Sequence, residues 1–332
     1  MNEKPNRRDF LRGCVVGAGA LLAGDAWDTM AAAAPAPETK SRVVIARDAA
    51  LRGAGSDIDP ARLGPMLDRA VQKFFDTKKP VDAWKRLVKP GEVIGLKVNG
   101  LGGRQITTNP AVVEAVIQRL TQAGIPLKDI VIFDRSDRDL VVAGFTPPEW
   151  KGVRSIGNRT AGFEEELSEW GNVASQLSKT LTRTCDGVIN LPVLKDHGMA
   201  GFTLAMKAMY GVINNPNKYH PNAGNPYIAD LNMLPVIRQK VRLTIGDATT
   251  AIYEGGPGYN PQWAWQMNGL IVGRDPVALD TVGWQLIEQK RKEAGLPTLA
   301  EAGREPKYIA TAADEQHRLG TNDPKRIERV EV

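Results

Sequence analysis

Residues 93–134 read VIGLKVNGLGGRQITTNPAVVEAVIQRLTQAGIPLKDIVIFD. Lys89, Pro90 and Gly91 form a turn signal, and 93–98 is a β-rich run that ends at Lys97 and Asn99. Thr107, Thr108 or Asn109 can cap a following helix that has Pro110 near its start. Val113, Val116, Ile117 and Leu120 recur there at helical spacing and Gly124 closes the segment. A second apolar run, 130–133, stops at Asp134. Strand, helix and strand in this order form a βαβ unit, which favours a parallel sheet with a right-handed crossover.

Working outward, 42–47 (RVVIAR) predicts an earlier strand. Residues 60–77 predict a helix with Leu63, Leu67, Ala70, Val71 and Phe74 on one face, and Asp59 before Pro60 as its N-cap. Downstream, 228–237 predicts a helix, 241–245 a strand ending at Asp247, and 270–272 a short strand. Asp275-Pro276 opens a helix through Lys290. Residues 214–225 (NNPNKYHPNAGN) and 254–266 (EGGPGYNPQWAWQ) read as loops. Residues 135–181 lack a sustained period and read as a partly irregular insertion with a short helix near 163–170. The expected architecture is α/β: a mostly parallel sheet with helices on both faces, in a single large domain spanning 41–332.

A second stretch, 186–214 (DGVINLPVLKDHGMAGFTLAMKAMYGVIN), concentrates the polar chemistry. Its spacing predicts a strand at 188–191, a polar corner at Lys195, Asp196 and His197, and a helix after Gly201. On that helix Thr203, Lys207, Tyr210 and Asn214 would form a polar stripe beside apolar Phe202, Met206, Met209 and Ile213. Gly198 and Gly201 would let backbone amides approach an anion. Ligands of open α/β sheets bind at the carboxyl ends of strands. Lys97, Asn99, Asp134, Lys195, His197, Asp247 and Asp275 all fall there in this reading. Lys97 within an apolar strand demands a partner charge. Lys97, Lys195 and Lys207 together would attract a carboxylate or phosphate. His197 and His220 flank the expected helix and suit proton transfer or ligation. Asp134 and Asp247 either cap local turns or join a histidine around a divalent metal, and Asp275 before proline suits an N-cap. Cys185 reads as a small buried residue.

The chain has 332 residues, is 42% hydrophobic and 24% charged, and carries a net charge of +5. This composition excludes wholesale disorder, and the scattered basic residues argue against a nucleic-acid footprint. Its two cysteines, Cys14 and Cys185, leave no four-cysteine metal or iron–sulfur site. Arg7 and Arg8 precede a weak apolar run and an alanine-rich stretch, the layout of a twin-arginine signal peptide over 1–33. Residues 34–40 form a Pro/Ala linker. The apolar run is about half the roughly 20 residues that a membrane span needs. The expectation is export of the folded protein by the twin-arginine translocase to the periplasm or cell exterior, with no stable membrane span after cleavage.

These segments resemble the domain of unknown function 362 family, in its twin-arginine-exported form without a ferredoxin module. The resemblance rests on Lys89–Asn99, Thr108-Asn109-Pro110, Asn190–Lys195 with His197, Thr203–Lys207, Gly211-Val212 and Asp275–Asp280. It implies a shared α/β domain and a pocket around Lys97, Asn99, Lys195, His197, Lys207 and Asp280, with no reaction attached. The leading expectation is an exported soluble enzyme acting on a small anionic substrate. His197 and Lys195 would be catalytic, and Lys97, Asn99, Lys207, Thr203, His220 and Asp280 would bind substrate. Asp134 or Asp247 would orient a histidine or hold a divalent metal. The alternatives are a periplasmic ligand- or cofactor-binding protein without catalysis, and an accessory partner of a redox complex.

Overall fold

A computed structural model describes residues 40–53 and 57–332. The expected signal (1–33) and all but the last residue of the linker (34–40) lie outside the described residues. In chain order the elements are β1 (Ser41–Arg47), α1 (Pro60–Phe75), α2 (Pro80–Lys85), β2 (Ile94–Val98), α3 (Pro110–Gln122), β3 (Ile130–Asp134), α4 (Asp137–Ala143), β4 (Glu149–Trp150), β5 (Val153–Gly157), α5 (Asn158–Ala161), β6 (Ser168–Trp170) and β7 (Val173–Ser175). There follow β8 (Gly187–Leu191), β9 (Val193–His197), β10 (Gly201–Thr203), α6 (Tyr227–Met233), α7 (Pro235–Lys240), β11 (Val241–Ile252), β12 (Ala264–Trp265), β13 (Gly269–Gly273), α8 (Pro276–Glu293), α9 (Tyr308–Ala313) and β14 (Ile327–Glu331).

The main sheet runs β14-β1-β13-β11-β8-β2-β3-β5-β4, with β9, β10 and β12 attached beside β11. From β11 through β8, β2 and β3 to β5 every neighbouring pair is parallel, so the βαβ reading of 93–134 holds at the sheet centre. β13 is antiparallel to both β11 and β1. Alternation sorts each strand onto two faces. Val44, Ala46, Ile94, Leu96, Ile130, Ile132, Leu270 and Val272 pack with α1 and α3 on one side. Val43, Ile45, Phe133 and Ile271 pack with α6, α8 and α9 on the other.

The helix starts follow their caps. Asp59, Asn109 and Asp275 each accept backbone N–H groups of the helix that a following proline opens. Asp275 is thus an N-cap, and it also takes the hydroxyl of Ser41 and the amide of Thr321.

Four expectations are corrected. Residues 135–181 are less irregular than expected, because β5 joins the main sheet beside β3 and α4 precedes it; 163–170 holds no helix, and β6 pairs with β7 instead. The helix over 228–237 is split into α6 and α7 at Leu234, which the following Pro235 disfavours in the helical region and which stands at a ψ of 126°. The strand at 241–245 continues through Ile252, so Asp247 sits inside a strand. The helix after Gly201 is an antiparallel hairpin, β9 with β10, followed by a 3-10 turn at Lys207–Val212.

Candidate functional site

Lys97 is the penultimate residue of β2 and points to the face opposite Leu96 and Val98. Its ammonium lies 2.7 Å from Asp134 Oδ1, with the carbonyl of Val98 at 2.8 Å. The second Asp134 oxygen accepts the amide of Gly100 at 2.7 Å. This ion pair is buried, with side chains 2% and 7% exposed, and it packs against Gly211. A Cβ at Gly211 would stand 2.4 Å from Asp134 Oδ1 and 2.7 Å from Lys97 Cε, so only glycine fits beside the pair.

Beside it, Lys195 Nζ donates to Asn99 Oδ1 at 3.0 Å, to the Leu101 carbonyl and to the Ile106 carbonyl at 3.3 Å. Burial pushes Lys195 down to about 7, repulsion from Lys207 adds to this, and Asp134 opposes it. Three oxygens matched to three ammonium donors favour the charged form. Lys195 is a fixed cation that clamps the 99–106 loop, with no donor left for a ligand.

His197 ends β9. Its Nδ1 accepts the amides of Met199 and Ala200, both at 3.2 Å. That contact assigns the ring proton to Nε2. Burial, then repulsion from Lys207, His220 and Lys195, drive His197 down to about 2. His197 is therefore a neutral hydrogen-bond donor through Nε2, with Nδ1 occupied by two backbone amides. The amides expected to meet an anion are spent on this ring. Gly201 is needed because a Cβ there would stand 2.2 Å from the Arg304 carbonyl, at a φ of +77°. His197→Asn keeps an acceptor where Nδ1 lies and removes the Nε2 donor. It is expected to stay within about 1 kcal/mol of the wild type in thermal unfolding, whereas His197→Ala strands two amides and loses about 1–3 kcal/mol.

Lys207 completes the group. Its Nζ is 3.2 Å from His220 Nε2 and lies 4.5 Å from the centre of the Tyr210 ring. Among the described residues no oxygen accepts a hydrogen bond from it. Burial pushes Lys207 down to about 7. The His220 ring stacks on His197 at 5.5 Å and is lowered by burial and by Lys207, while backbone hydrogen bonds at Asn217 and Pro216 oppose that.

These side chains line one cavity of about 200 Å³. Lys97, Asn99, Asp134, Lys195, His197, Thr203, Lys207 and His220 all reach it. Asp247 and Asp280 do not. Asp247 accepts the amide of Asn109 at 2.7 Å and the hydroxyl and amide of Thr249, and two strands separate β11 from β3. The structure places the two carboxylates expected as alternative metal or histidine partners apart from each other: Asp134 lines the cavity and is paired with Lys97, and Asp247 lies outside it. Among the described residues no three His, Cys, Asp or Glu side chains gather as a metal ion requires. Asp280 is corrected from substrate contact to backbone brace, since its two oxygens accept the amides of Ala205 at 2.7 Å and Met206 at 3.2 Å. Burial raises it to about 7 against those two amides.

Sequence reasoning missed Arg135, paired at 2.9 Å with Asp139 on the cavity wall, and the role of Tyr210 as an aromatic floor for Lys207. Arg135 was legible in principle, because it follows the carboxyl end of β3 directly.

A family model described as "Domain of unknown function (DUF362)" matches residues 94–285, a span that contains every cavity residue named above. The chain belongs to the DUF362 family. A thylakoid-associated protein of Synechocystis sp. is 27% identical to this DUF362 member over 238 residues, covering 68% of this chain and 72% of the relative. A crystal structure of a Thermotoga maritima protein matches 72% of this chain with a TM-score of 0.43 and 11% identity. The chain spans 60% of that protein's length, and a likeness so loose transfers no residue roles.

Proposed function

We propose that this DUF362 cavity is the active site of an exported enzyme that acts on a small anionic substrate by proton transfer. The observation that carries the reading is the charge of the lining: Lys97, Lys195, Lys207 and Arg135 face it with only Asp134 and Asp139 as carboxylates. Each carboxylate is already paired with one of these cations. An anion entering the cavity supplies the missing charge in a low-dielectric surrounding, where the attraction is strong. Lys195, whose charge no carboxylate of the lining pairs, sets the positive potential. His197 donates a hydrogen bond through Nε2, and Thr203 and Asn99 complete the polar wall. Lys207 with His220 moves the proton, because an amine poised near neutrality can both give and take one.

Export by the twin-arginine route to the periplasm or cell exterior is part of the proposal and is supported by the arginine pair and apolar run of 1–33. Among the described residues no helix is long and apolar enough to cross a membrane. The thylakoid association belongs to the Synechocystis relative.

The test is a thermal-shift series with oxalate, a neutral diol of similar size and a small diamine. Oxalate is expected to raise the melting temperature of the wild type and to do so much less in Lys207→Met. Equal shifts from the neutral compound, or none from oxalate, would remove the anion site.

A further inference from the structure

The three cavity lysines are held in different ways. Lys97 meets a carboxylate and a carbonyl oxygen, and Lys195 meets three oxygens. Lys207 meets a ring nitrogen and the face of Tyr210. An oxygen shell stabilises an ammonium, whereas Lys207 is buried without one and lies beside a basic nitrogen that can take its proton. The cavity is also small, at about 200 Å³, and its remaining wall carries Met199, Ala208 and Pro257.

We infer that Lys207 is a nucleophilic amine that forms an imine with the carbonyl group of a small oxo acid, whose carboxylate is drawn in by the positive cavity wall. This rests on the anion-site reading and names its substrate class. The ammonium of Lys207 first passes a proton to His220 Nε2. The nitrogen lone pair then attacks the carbonyl carbon, and the carbonyl π pair moves to oxygen. A proton shifts from nitrogen to that oxygen to give the carbinolamine. The His220 imidazolium protonates the hydroxyl, the C–O bond breaks with release of water, and the nitrogen lone pair closes a protonated C=N bond. One ammonium and one carbonyl thus yield one iminium and one water, with His220 returned to its neutral form. His197 Nε2–H is the hydrogen-bond donor available to the developing oxyanion. The lowered proton affinity of Lys207, at about 7, agrees with the geometry.

The test uses the full chain with glyoxylate and sodium cyanoborohydride near neutral pH, followed by peptide mass mapping. The expected result is one carboxymethyl group on Lys207, acquired at least about tenfold faster than on exposed Lys151, because a larger fraction of a lowered-pKa amine is unprotonated. Prior unfolding should erase the preference. The Lys207→Arg variant keeps a cation and should lose the label while retaining an oxalate-induced melting shift. Labelling spread over exposed lysines with Lys207 unmodified overturns the inference. If the wild type then still shows the oxalate shift, the anion site stands without the imine; if that shift is also missing, both readings fall.

Discussion

Replacing Asp134 by alanine is expected to cost about 3–5 kcal/mol of stability, since it strands the buried ammonium of Lys97 and removes the acceptor for Gly100. The pair is compensated only internally. With both partners below a tenth exposed, water from the cavity replaces the carboxylate only in part. Asp134→Asn keeps an acceptor for the Gly100 amide but not the charge, so it should fall between alanine and the wild type. The double replacement Lys97→Met with Asp134→Leu should recover the share of the loss that comes from the stranded charge, because a buried ion pair can be exchanged for apolar groups of similar volume at small net cost, while the Gly100 amide stays without its acceptor. Denaturant unfolding of the four proteins gives the answer. A single alanine variant within about 1 kcal/mol of the wild type would mean that the ion pair is solvated in solution.

Asp196→Ala is the second large effect, again about 3–5 kcal/mol. Asp196 is fully buried on β9, next to His197, and joins a network of two arginines and two carboxylates. Arg304 donates to its Oδ1 at 2.7 Å, and Arg291 stands at 3.9 Å. Glu254 bridges both arginines, and Asp196 Oδ2 accepts the amide of Gly256 at 2.9 Å. Burial raises Asp196 to about 6, with Arg304 the chief opposing influence. The network ties the β9–β10 hairpin to the 254–258 loop, which carries Pro257 onto the cavity wall. The backbones touch closely enough that a Cβ on Gly256 would stand 2.0 Å from the Asp196 carbonyl. Loss of Asp196 should therefore lower both the unfolding midpoint and the oxalate affinity. A variant that loses stability but binds oxalate normally would separate the network from the cavity.

The sequence carried the sheet centre because 93–134 is locally consistent: apolar period, cap and breaker all agree at Asn109, Pro110 and Gly124. It misled at 201–213, where residues on every side are buried. A helical period needs a wet face for contrast, and here there is none; Phe202 and Met206 are buried alongside Thr203 and Lys207. Residues 135–181 were opaque because the only large apolar side chains of β5, Val153 and Ile156, stand three apart, so no period of two shows. The lysines of the cavity were legible because a charge in an apolar run is costly and so informative. Their separate roles were not, since these depend on oxygens at Leu101 and Ile106 and on a ring nitrogen at His220 that only the folded chain brings near. Asp247 and Asp280 looked like site residues for a similar reason: a buried carboxylate signals a need for partners, and backbone amides satisfied that need in both cases.

The central claim is a cavity in which Lys207 sits near neutrality and gains its proton when an anion enters. Its most direct test is calorimetric titration with oxalate from pH 6 to pH 9 in two buffers of different ionisation heat. Lys207 in the bare site loses its proton as the pH rises through about 7, whereas the occupied site holds it. Binding should therefore take up a proton above pH 7 and weaken by about tenfold per pH unit there. The Lys207→Arg variant should bind with a flat profile over the same range. A flat profile in the wild type, or binding that is unchanged in Lys207→Met, would contradict the account.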